Sequence, residues 1–88
     1  MKNNMIDLRK NKTNEQPLPK WFDGTVYNEG SIVMNPFSGC SIGLTAEELS
    51  IYDYIMGCVM LDKYDATFNK AMNWFRRANP DAYMVLLD

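Results

Sequence analysis

The chain has 88 residues, a net charge of −2 and a pI near 5.0. One domain fits this length, and a chain so short buries only about 60–65% of its unfolded surface, so its core is small. An acidic balance without clustered lysine and arginine disfavours nucleic acid as a partner, and no apolar run approaches the ~18 residues of a membrane span.

Histidine is absent. Its absence removes the commonest general base and excludes nucleophile–histidine pairs. Neither GxGxxG nor GxxxxGK[ST] occurs. Cys40 and Cys58 form no CxxC pair and fall short of the ligand set of a structural zinc site. They are expected as reduced thiols, buried or half-buried. The sequence calls for no cofactor and no metal, and the chain is expected not to be an enzyme. Its start, "MKNNMIDLRKNK", lacks the apolar stretch of a signal peptide, so a cytoplasmic location is the expectation.

Residues 1–20 read as a flexible N-terminal arm. The arm is polar, contains Pro17 and Pro19, and carries five of the nine basic residues. Residues 21–88 read as a single α+β domain. Within it, Asp23-Gly24, Asn28-Glu29-Gly30 and Asn35-Pro36-Phe37-Ser38-Gly39 break up β-branched and aromatic residues, which is turn chemistry at short spacing. Strands are expected near Thr25–Tyr27, Ser31–Met34 and Cys40–Leu44. Ile32 and Met34 alternate with Ser31 and Val33, and Cys40, Ile42 and Leu44 with Ser41 and Gly43, so one face of each strand can be buried. Pro36 suits the first corner of a turn and Gly39 its left-handed exit. Phe37 stands out because a turn tip needs no aromatic ring. It is expected to fold back onto the core or to meet a neighbouring subunit.

Thr45 and Glu48 form a T-x-x-E capping box, and Glu47 and Glu48 suit the positive end of a helix dipole. A helix is expected from Ala46 to about Asp62. Leu49, Tyr52, Ile55, Met56, Val59 and Met60 fill one broad arc. Ile51, Tyr54, Cys58 and Leu61 extend it. Only Ala46, Ser50, Asp53 and Gly57 form a non-apolar stripe. A helix this apolar must be covered on more than one side. The surplus predicts self-association through Ile51, Tyr54 and Leu61, with Phe37 or Trp74 as an aromatic anchor and a dimer as the favoured form.

A second helix is expected over Ala66–Ala78, N-capped by Asp65. Phe68, Ala71, Met72, Phe75 and Ala78 share one face, and Trp74 lies off it. Arg76 and Arg77 complement the dipole in the last turn; the other reading is a basic pair for phosphate or carboxylate. Asn79-Pro80-Asp81 stops this helix and starts a short C-terminal one.

Three stretches, "VMNPFSG", "ELSIYDYIMG" and "WFR…PDAYMVLLD", together resemble small proteins of tailed bacteriophages, especially T4-like phages of marine cyanobacteria. The resemblance covers about residues 24–88. It implies an origin and a location, the host cytoplasm or the virion, and carries no functional residues with it.

The resulting expectation is an α+β domain: a β-hairpin or three-stranded meander followed by two or three packed helices. The expected function is a non-enzymatic structural or protein-interaction module that acts as a homo-oligomer, with a phage or host protein as a further partner. The alternative is a small regulator that binds nucleic acid or a host protein through a basic edge at Arg76 and Arg77.

Overall fold

A computed structural model describes residues 17–87. Residues 1–16, most of the expected arm, and Asp88 lie outside the described residues. The fold is α+β: an antiparallel hairpin of β1 (Ser31–Met34) and β2 (Ser41–Leu44), then α1 (Ala46–Met60), α2 (Ala66–Ala78) and α3 (Pro80–Leu86).

Local chemistry sets each helix start. Thr45 Oγ1 accepts from the Glu48 amide (3.2 Å), while Glu48 Oε1 accepts from the Thr45 amide (2.9 Å), a complete capping box. Asp65 Oδ1 accepts from the Phe68 amide, and Asn79 Oδ1 accepts from the Ala82 amide. Pro80 then occupies the first turn of α3, where its missing N–H costs nothing.

The end of α1 is a Schellman motif. The Lys63 amide donates to the Cys58 carbonyl and the Asp62 amide to that of Val59, with Asp62 left-handed at φ 59°. Glycine normally fills this position because a Cβ is unfavourable there.

The register pairs Ser31 with Leu44 and Val33 with Ile42 on one face, and Ile32 with Gly43 and Met34 with Ser41 on the other. Leu44 is buried, and Val33 and Ile42 pack against the core. Val33 therefore marks the inner face of β1, and Ile32 and Met34 are exposed. Cys40 is exposed as well. A Cβ on Gly30 would collide with the Leu44 carbonyl oxygen, so glycine lets the base of the hairpin close. Residues 25–27 form no strand; the Tyr27 amide donates instead to the Ser50 hydroxyl (2.9 Å).

The core gathers Leu44, Ile51, Ile55, Ala71, Trp74, Phe75, Ala78 and Ala82. Part of the apolar surplus of α1 is absorbed within the chain, while Val59, Met60 and Leu61 at its C-terminal end stay exposed. Leu18, Trp21 and Phe22 pack against this core, and the Phe22 ring meets Tyr54 edge-on at 5.9 Å. Of the stripe of Ala46, Ser50, Asp53 and Gly57 only Asp53 is exposed; Ser50 is fully buried, and its hydroxyl also donates to the Ala46 carbonyl. Trp74 is buried, and its indole N–H donates to the Pro17 carbonyl (3.3 Å). Pro17 and Leu18, placed in the arm by their composition, thus belong to the packed domain.

Inside that core lies one carboxylate. Glu48 is 1% exposed, and Oε1 accepts from Asn79 Nδ2 (3.1 Å) as well as from Thr45. The cap of α1 is thereby bonded to the cap of α3.

Asn79→Ala removes both the α3 cap and a donor to a buried carboxylate. It should lower the unfolding free energy by about 2 kcal/mol, measured by urea denaturation. Asp62→Gly relieves the left-handed Cβ and should raise it by about 0.5–1 kcal/mol in the same assay.

Candidate interaction surface

The turn between the strands is built on one side chain. Asn35 Oδ1 accepts from the amides of Phe37 (2.8 Å) and Ser38 (3.4 Å), an Asx-type turn. The Asn35 amide donates to the Cys40 carbonyl and the Gly39 amide to the Asn35 carbonyl, with Gly39 at φ 79°. Asn35 Nδ2 crosses to α3 and donates to the Val85 carbonyl (2.9 Å). The turn is thus fastened at its root to the helical layer.

This turn holds Phe37 at 97% exposure. The ring does not fold back onto the core. Ile32 and Met34 are exposed on the outer face of the hairpin, opposite only Gly43 and Ser41. Between Glu29 and Glu47 the sequence has no charged residue. Three large apolar side chains therefore stand exposed within an uncharged stretch of chain. Leaving each in water forgoes about 1.5–3 kcal/mol of burial.

The other residues singled out by sequence are scattered. Ile51 is 0% exposed and Trp74 is buried, so neither is available as a contact or an anchor; both complete the monomer core. Tyr54 is half-buried beneath Phe22. Leu61 alone of the α1 flank is widely exposed, at 76%, next to Met60. Arg76 donates to Asn73 Oδ1 (3.0 Å) and lies over the Tyr83 ring at 5.8 Å. Arg77 is exposed and engaged in a contact of its own. Sequence reasoning missed Ile32, Met34 and the clamping role of Asn35. For the first two the register decides, since it sets them opposite Gly43 and Ser41, which cannot complete a core face.

Tyr54 also borders a cavity of about 250 Å³ shared with Gly24, Gly57 and Cys58. That volume falls below the range usual for small-molecule sites, about 300–1,000 Å³. Burial, then a hydrogen bond with the Cys58 side chain, then the charges of Cys58, Asp65 and Asp23, push the Tyr54 hydroxyl up to about 12. Burial also raises Tyr52. Cys40 and Cys58 are both free thiols. Among the described residues, no group of three or more Cys, Asp or Glu side chains could hold a metal ion, and no helix is long and apolar enough to cross a membrane.

The chain matches no protein-family model, no curated protein and no solved structure.

The raised Tyr54 hydroxyl has a defined consequence. Between pH 10 and 12 the unfolded chain loses this proton while the folded chain keeps it, so stability should fall as pH rises through that window. Tyr54→Phe should flatten the fall relative to wild type, read from urea midpoints across the window.

Proposed function

We propose that this chain is a non-enzymatic protein-interaction module that acts as a homo-oligomer through its hairpin. The supporting observation is the Asn35-clamped turn that presents Phe37 at 97% exposure beside Ile32 and Met34. Aromatic side chains are enriched among the residues that dominate binding energy. A turn already held by side-chain hydrogen bonds has little ordering cost left on association. Nothing in the monomer needs the ring where it stands, since the turn is made by Asn35, Pro36 and Gly39.

The absence of histidine supports the non-enzymatic part of the reading. The motif resemblance to small proteins of tailed bacteriophages supports a place in the infected host cell or the virion. The basic-edge alternative gains no specific support, because Arg76 is already engaged with Asn73 and Tyr83.

Phe37→Ala should leave the thermal unfolding midpoint within the change that a surface substitution causes, about 0.5 kcal/mol. The same variant should weaken self-association of the full chain, measured by sedimentation equilibrium. Unchanged association with an intact fold would count against the hairpin as the contact.

A further inference from the structure

The hairpin has an inner and an outer strand. β2 lies against α1 and α3, which leaves β1 on the outside. The Asn35 amide bonded to the Cys40 carbonyl marks that pair as hydrogen-bonded. Antiparallel pairs alternate. Val33/Ile42 and Ser31/Leu44 therefore bond across the hairpin, and Met34/Ser41 and Ile32/Gly43 do not. The backbone N–H and C=O groups of Ile32 and Met34 must then point away from β2, along an edge with no strand partner among the described residues.

Natural edge strands are usually guarded by lysine, an inward charge, a bulge or proline. β1 reads Ser-Ile-Val-Met and carries none of these; its one guard is its length of four residues. Its face is apolar, with Ile32 and Met34 exposed. It also lies within the uncharged stretch between Glu29 and Glu47. Two copies of a chain with net charge −2 can approach here without placing like charges together.

Resting on the interaction reading above, we infer that the partner at this edge is a second copy of the chain, joined by antiparallel pairing of β1 with β1 about a two-fold axis at Val33. This register sets Ile32 opposite the partner's Met34 and Met34 opposite the partner's Ile32. It is the register that engages every outward N–H and C=O within both strands. Sliding it one way brings in Pro36, which has no N–H. The product is a continuous sheet in the order β2–β1–β1–β2. Its outer face carries directly opposed Ile–Met pairs, the unit of sheet stabilisation. The same register carries Phe37 toward the partner's residues 26–30, where Val26 and Tyr27 are exposed.

The test is sedimentation equilibrium of the full chain up to high micromolar concentration, with circular dichroism melts to confirm folding. Ile32→Lys combined with Met34→Lys places like charges opposite each other and should weaken association about tenfold or more. Ile32→Lys combined with Met34→Glu places each new lysine opposite the partner's new glutamate and should restore it. Ile32→Pro removes one outward N–H without touching the inner ladder and should also dissociate the dimer. A dimer indifferent to all three variants overturns the edge pairing and leaves the hairpin reading to its Phe37 test. A folded Lys/Glu variant that stays as monomeric as the Lys/Lys variant overturns the register. A wild type that is monomeric throughout overturns the interaction reading as well.

Discussion

A hydrogen bond between two helix caps organises this domain. Glu48 belongs to the capping box of α1, and Asn79 caps α3; their side chains meet in the core at 3.1 Å, across 31 positions of sequence. A carboxylate in such a place is costly unless donors surround it. Here the Thr45 amide and the Asn79 side chain supply them. The bond fixes where α3 begins relative to α1. Val85 of α3 then accepts from Asn35, and Asn35 holds Phe37. A line of polar contacts thus runs from the centre of the core to the exposed tip of the hairpin.

The second constraint is the coverage of α1. This helix is apolar almost all round, and the chain has too few elements to bury it with helices alone. Residues 17–27 solve the problem without regular structure. Leu18, Trp21 and Phe22 contribute apolar surface, Pro17 accepts from the Trp74 indole, and Tyr27 donates to Ser50. Much of the interaction surface that the composition of α1 suggested is therefore used inside the monomer; Val59, Met60 and Leu61 at its end stay exposed, and further apolar surface stands on the hairpin. There, Ile32, Met34 and Phe37 stand on a neutral strand whose outer edge has no partner among the described residues.

What the sequence determined by itself was local. The three helices and their caps at Thr45, Asp65 and Asn79 were legible because a capping side chain bonds to a backbone amide two or three residues away. The turn at residues 35–39 was legible for the same reason: Pro36 and Gly39 restrict or permit backbone angles at their own positions. Only the tertiary structure decided which face of β1 turns inward, where Trp74 and Ile51 lie, and what Ser50 and Asn35 bind. Apolar residues alternate on both faces of β1, so periodicity gives no direction; the register with Ser41 and Gly43 supplies it. Ser50 and Asn35 are polar residues whose partners, Tyr27 and Val85, are distant in sequence. Contacts of that kind depend on how the elements dock, and docking is set by the summed burial of the core rather than by any single stretch of chain.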